Sequence, residues 1–131
     1  MIRALPLVLV VDDAPETRKL MRRILERDHI RVVEAASGEE AIRTIVGRRP
    51  DAVVLDLRLP GMSGLDVART VRANPDEAIA ATPLLACSAS IQEEIRRDAL
   101  AAGCSDFQGK PFDIATFAKR VRDLVGHGAA D

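Results

Sequence analysis

Apolar residues fall along this chain in two alternating rhythms. Leu7 to Val11 is an unbroken apolar run, and runs of the same type return at Ala52 to Leu55 and at Pro83 to Cys87. A short continuous run suits a strand covered on both faces, as in a parallel sheet. Between the runs the period lengthens. Leu20, Met21, Ile24 and Leu25 recur at three and four, as do Val67, Ala68 and Val71, and Ile91, Ile95, Ala99 and Ala102. That spacing lines one face of a helix. Arg31 to Ala35 supplies a shorter strand. Behind it, Ser37-Gly-Glu-Glu40 reads as a helix start, with Ser37 as cap and Glu40 at the capping-box position, followed by Ala41, Ile42 and Ile45. Ser105 to Gln108 reads as a final strand, and Phe117, Val121, Leu124 and Val125 as a last helix stopped by Gly126.

Five strands alternating with five helices predict right-handed crossovers, and hence an α/β fold with a parallel sheet covered by helices on both faces. The 131 residues are expected to form a single domain with its core in 7–125 and a frayed tail at 127–131. A net charge of -1 gives no field for nucleic acid or an anionic membrane, so neither is expected as a direct partner. Three Phe with no Tyr or Trp leave almost no stacking surface for bases or a flavin. The apolar stretch in MIRALPLVLVVDD is too short for a signal peptide or a membrane span, which predicts a cytoplasmic protein. Cys87 falls near the end of one strand and Cys104 before the start of the next. The offset between them exceeds what a disulfide allows, so two free thiols are expected.

The candidate chemistry collects at the carboxyl ends of the strands, where open α/β sheets bind ligands. The first strand delivers Asp12 and Asp13, the third Asp56, the fourth Ser88, and the fifth Lys110, followed by Pro111. Three carboxylates brought together repel, and protonation or a cation relieves the repulsion. Oxygen ligands without His or Cys suit Mg²⁺ and argue against zinc. A carboxylate is also a nucleophile toward phosphorus, and phosphoryl transfer asks mainly for positioning and for neutralisation of oxygen charge. A metal, the Lys110 ammonium and the Ser88 hydroxyl could provide these. Plainer roles exist for several of these residues. Asp13-Ala-Pro-Glu16 reads as an N-cap followed by a first-turn proline, Ser88 or Ser90 could cap the helix near Ile91, and Phe107 fits a core position.

Four motifs, in this order, resemble the receiver domain of two-component response regulators: VVDD, VVLDLRLPGMSGLD around Asp56, CSAS at Ser88, and AAGCSDFQGKPF around Lys110. The resemblance runs from about Leu7 to Val125. It implies a flavodoxin-like (βα)5 sheet of order 2-1-3-4-5, with Asp56 as phosphoacceptor from a histidine kinase or phosphotransfer protein. It also implies that Asp12, Asp13, Asp56 and the backbone carbonyl of Arg58 hold Mg²⁺. Lys110 would bind the phosphate, Ser88 would hydrogen-bond it, and Phe107 would be the switch aromatic. A cis bond before Pro111 is implied as well. The domain would promote its own phosphorylation and dephosphorylation, and would signal to a downstream protein target through the surface around the fourth helix, fifth strand and fifth helix. Two positions depart from the usual pattern. Arg58 is bulky and charged where dephosphorylation is influenced, and Gly109 is small, which is expected to loosen the strand end before Lys110.

Rival functions are a receiver excised from a hybrid kinase or larger regulator, a degenerate receiver that binds partners without phosphorylation, a flavodoxin-like electron carrier, and an aspartyl phosphatase. The electron carrier would need a phosphate loop and aromatics that DDAPET and three Phe do not supply. The phosphatase would need a second Asp two residues after its nucleophile, where Arg58 follows Asp56 and Ala14 follows Asp12.

Overall fold

A computed structural model of the chain describes residues 4–110 and 113–128. Its elements are β1 (Leu7–Val11), α1 (Pro15–Arg27), β2 (Arg31–Ala35), α2 (Gly38–Arg48), β3 (Ala52–Asp56), α3 (Gly64–Arg72), α4 (Glu77–Ala80), β4 (Leu84–Ser88), α5 (Glu93–Ala101), β5 (Asp106–Gly109) and α6 (Ile114–Gly128). The five strands form one parallel sheet in the order β2-β1-β3-β4-β5. The three central strands are buried along their whole length. Alternate side chains divide them between two cores. Leu9, Val11, Val53, Leu55, Leu84 and Ala86 pack with residues of α2, α3 and α5. Val8, Val10, Val54, Leu85 and Cys87 pack with Met21, Ile24 and Leu25 of α1 and with Phe117 and Val121 of α6. The unbroken apolar runs are the consequence: a strand with a core on each side has no face for polar residues.

Several local expectations need correcting. The described residues form six helices, because a single turn, α4, lies between α3 and β4, capped by Asp76 Oδ1 accepting from the Ala78 N–H at 2.9 Å. Ile91 lies before α5 and is 73% exposed, so it does not belong to the apolar stripe of that helix. Gly126 does not stop α6, which continues to Gly128. A helical glycine costs only about 1 kcal/mol, too little to end a helix already packed through Phe117 and Val121. The Ser37 cap forms as expected, with Oγ accepting from the Glu40 N–H at 3.2 Å. The Glu40 carboxylate closes the box one residue early, on the Ala36 N–H at 2.7 Å.

Both cysteines are free and buried. Loss of hydration pushes the Cys87 thiol up to about 12 and the Cys104 thiol up to about 11, so both stay neutral. No helix among the described residues is long and apolar enough to cross a membrane. Pro111 with its preceding bond, Phe112 and the tail 129–131 lie outside the described residues.

Candidate functional site

The strand register assembles the site. Val11 pairs with Leu55, so the residues that follow them, Asp12 and Asp56, emerge side by side. Asp56 pairs with Cys87, and Ser88 with Gly109, which sets Ser88 and Lys110 one and two strands further along the same edge. The Lys110 N–H donates to the Ser88 carbonyl at 2.8 Å and extends the ladder by one step.

Asp12 is fully buried and Asp56 is 6% exposed. Each uses its two carboxylate oxygens in the same way. Asp12 Oδ1 accepts from the Ala14 N–H at 2.9 Å, and Asp56 Oδ1 from the Arg58 N–H at 3.0 Å, so each acid shapes the loop that follows its own strand. The Oδ2 atoms face Lys110, whose Nζ lies 2.7 Å from Asp12 Oδ2 and 3.4 Å from Asp56 Oδ2. Burial drives the Asp56 carboxyl above its ordinary range, the Asp12 charge adds to this, and the Arg58 N–H and the Lys110 ammonium only partly oppose it. For Lys110, burial alone would lower the pKa. The hydrogen bond to Asp12 and the charges of Asp56 and Asp12 outweigh that and hold it above the usual lysine value.

Asp13 is exposed at the rim, and one carboxylate oxygen from each of Asp12, Asp13 and Asp56 lies within 4.8 Å of the others. The cap reading of Asp13 is overturned. The N-cap of α1 is Ala14, Pro15 follows at the first helical position, and the Ala14 N–H is taken by Asp12. The Asp13 carboxylate therefore has no hydrogen-bond partner among the described residues. Three carboxylates against one ammonium, with oxygen donors only, fit a hard divalent cation.

Ser88 is buried, and its Oγ accepts from the Ser90 N–H at 3.1 Å. Neither serine caps α5, whose N-cap is Gln92. Phe107 is buried in the core cluster that contains Ala86 and Ala99. Gly109 does not leave an open strand end. A Cβ built there would lie 2.5 Å from Ile91 Cγ2, so the missing side chain is what admits Ile91. Arg58 is exposed, and its backbone serves Asp56.

A group behind the site escapes a reading by sequence position. Arg18 Nη1 donates to the Asp12 carbonyl at 2.7 Å, and Arg18 Nε donates to Glu34 Oε1 at 3.0 Å. Arg22 Nε donates to Glu34 Oε2 at 2.7 Å. Hydrogen bonds and charge from Arg22 and Arg18 hold the Glu34 carboxyl below its usual range. The available signal is Glu34 itself, an acid that follows Val32 and Val33 within β2.

The family model for the response regulator receiver domain matches residues 8–122. The chain is 36% identical over 118 residues to the transcriptional regulatory protein ResD of Bacillus subtilis, covering 90% of this chain and 47% of that protein. It is 36% identical over 124 residues to the transcriptional regulatory protein KdpE of Mycobacterium tuberculosis, covering 95% and 53%. The chain thus spans about half the length of these curated relatives. Among solved structures, a response regulator receiver protein from Pseudomonas putida superposes with a TM-score of 0.84 at 33% identity, covering 93% of this chain and 99% of that one. The receiver domain of a sensor histidine kinase from Pseudomonas aeruginosa, with a magnesium ion coordinated in its active site cleft, superposes with a TM-score of 0.85 at 30% identity, covering 94% and 99%.

Proposed function

The chain belongs to the response regulator receiver domain family, and from that premise we propose that it accepts a phosphoryl group on Asp56 from a histidine kinase or phosphotransfer protein. The observation that carries this reading is the Lys110 ammonium set between the buried carboxylates of Asp12 and Asp56, at 2.7 and 3.4 Å. Asp12, Asp13, Asp56 and the Arg58 carbonyl would hold Mg²⁺, an ion that the Pseudomonas aeruginosa receiver domain carries in its cleft. When bound, Mg²⁺ neutralises charge on the carboxylates and on the phosphoryl oxygens.

Asp56 is the nucleophile. The Arg58 N–H orients its carboxylate, and burial makes it more basic than a solvated one. Lys110 opposes protonation of Asp56 and offers a cation for the incoming oxygens. An Asp56 oxygen forms the O–P bond while the P–N bond of the donor phosphohistidine breaks, and the electron pair leaves with the imidazole nitrogen. The Ser88 hydroxyl, which accepts from the Ser90 N–H, donates its proton to a phosphoryl oxygen, and Phe107 of β5, packed in the core, follows that loop. The signal is then a population shift in the surface formed by α5, β5 and α6, read by a downstream protein. Residues 1–131 act in this reading as one receiver unit, with its core in 7–125, located in the cytoplasm. The domain promotes both gain and loss of its phosphoryl group.

Intact-mass measurement after incubation with acetyl phosphate and Mg²⁺ tests the assignment. The wild-type chain should gain one phosphoryl group and Asp56→Asn none. Labelling that persists in Asp56→Asn removes Asp56 as the acceptor.

A further inference from the structure

We propose that Arg18 is a positioning residue of the site. It sets the peptide plane between Asp12 and Asp13 and so aims Asp13 at the metal position. The inference rests on the reading above, in which the three aspartates hold Mg²⁺.

The backbone and side chain of Asp12 are held at four points. Its N–H donates to the Ala35 carbonyl at 3.2 Å, its Oδ1 is held by Ala14 and its Oδ2 by Lys110, and its carbonyl oxygen accepts from Arg18 Nη1 at 2.7 Å. Two of these bonds, to Ala35 and Lys110, fix Asp12 alone, and the third, from the Ala14 N–H, closes the turn across Asp13. The fourth holds the carbonyl of the peptide whose nitrogen belongs to Asp13, and so governs the direction in which Asp13 leaves the strand. No side-chain bond directs Asp13 itself, since its carboxylate makes no hydrogen bond among the described residues and yet lies within 4.8 Å of the other two acids.

Arg18 is built for this task. It is the fourth residue of α1, and helical side chains lean toward the N-terminus, which carries its guanidinium back over the β1–α1 turn. The side chain is 17% exposed and locked at Nε by Glu34 of β2, so it cannot swing away from the carbonyl. Arg22 takes the other Glu34 oxygen, Oε2, and leaves Oε1 to Arg18. The sheet thus holds Glu34, Glu34 holds Arg18, and Arg18 holds the turn that carries two of the three acids.

The sign of the effect separates this role from simple charge. A cation close behind three carboxylates disfavours a second cation, so deleting it for electrostatic reasons alone would tighten Mg²⁺ binding. Loss of a positioning bond weakens binding instead, and removal of groups that orient metal ligands typically costs tenfold or more in affinity. Arg22 provides a control matched in charge, since it also binds Glu34 but makes no hydrogen bond to Asp12.

The experiment is calorimetric titration of the full chain with Mg²⁺, for the wild type, Arg18→Met, Arg22→Met and Asp13→Asn. Arg18→Met should raise the dissociation constant about tenfold, and Arg22→Met should leave it within about twofold of wild type. If Arg18→Met is too unstable to titrate, Arg18→Gln should show the same weakening, because its shorter neutral side chain cannot span Glu34 and the carbonyl. Binding by Arg18→Met equal to or tighter than wild type overturns the inference, as does equal weakening by Arg22→Met. If Asp13→Asn loses Mg²⁺ while Arg18→Met keeps it, the metal site stands and only the positioning role falls. A wild-type chain that binds no Mg²⁺ overturns both.

Discussion

Asp56 is a carboxylate that folding takes out of water and sets beside a second one, and its stability cost follows from linkage. Its folded pKa is raised, so the folded chain holds that proton more tightly than the unfolded chain does. The associated stabilisation is complete below the ordinary carboxylate range and is lost as pH rises through the folded value. Once ionised, and without a divalent cation, Asp56 therefore destabilises the fold. Asp56→Asn keeps the shape and the acceptor for the Arg58 N–H. Its melting temperature should exceed wild type by roughly 3 °C at pH 7, equivalent to about 1 kcal/mol, and the gain should vanish as pH falls into the ordinary carboxylate range. Thermal melts across pH check this, and a gain independent of pH would show that burial of the charge is not its source. At this scale the acids, Ser88 and Lys110 are legible in the sequence, because polar residues that directly follow buried strands must stand at the open edge of the sheet. Which of two adjacent acids turns to the Ala14 N–H is not legible. Asp12 and Asp13 offer the same chemistry, and only the direction of the chain at the end of β1 chooses Asp12. The bond from Arg18 to Asp12 is equally hidden, since its anchor at Glu34 comes from a different strand.

Among the elements, α3 bears most directly on Asp56. Its first residue, Gly64, donates its N–H to the Leu57 carbonyl at 3.1 Å. A Cβ at that position would collide with the Asp56 carbonyl and lie 2.7 Å from Leu57 Cα. Both obstacles are backbone and cannot swing aside, so Gly64→Ala must push α3 off the end of β3. It should destabilise the chain by about 2 kcal/mol and slow phosphoryl acceptance from acetyl phosphate. Gly47→Ala, inside α2 with nothing within 4 Å of the new Cβ, should instead stabilise by up to about 1 kcal/mol. Urea denaturation of the two variants reads opposite signs from the same chemical change. A neutral Gly64→Ala would mean that the helix is not clamped to the end of β3. The central strands are legible as unbroken apolar runs, and the longer helices because each repeats its apolar period. The short α4 is not, since four residues complete barely one turn and show no period. Ile91 misleads for a related reason: its spacing to Ile95 fits a helix face, but it lies over Gly109, a glycine that only the tertiary structure brings beneath it.

For the whole molecule, alternation of strand and helix predicts a parallel sheet but does not order it, and the order 2-1-3-4-5 is legible only through the likeness to receiver domains. That order decides the chemistry, because it makes β1 and β3 neighbours and places Asp12 against Asp56. The unfolded chain separates these acids and the folded chain concentrates them, so a cation that needs all three binds the folded state alone. Stability must then rise with Mg²⁺. At a concentration one hundred times the dissociation constant the gain is about 2.7 kcal/mol, or roughly 8 °C in melting temperature for a domain of this size. Asp13→Asn is the informative variant, because the Asp13 carboxylate makes no hydrogen bond among the described residues and its loss leaves the metal-free fold intact. Its melting temperature without Mg²⁺ should stay close to wild type, while most of the Mg²⁺-dependent rise disappears. The wild-type rise should also shrink as pH falls and protons compete for Asp56. An equal rise in wild type and Asp13→Asn would place the cation elsewhere on the surface and leave the three aspartates without their common ligand.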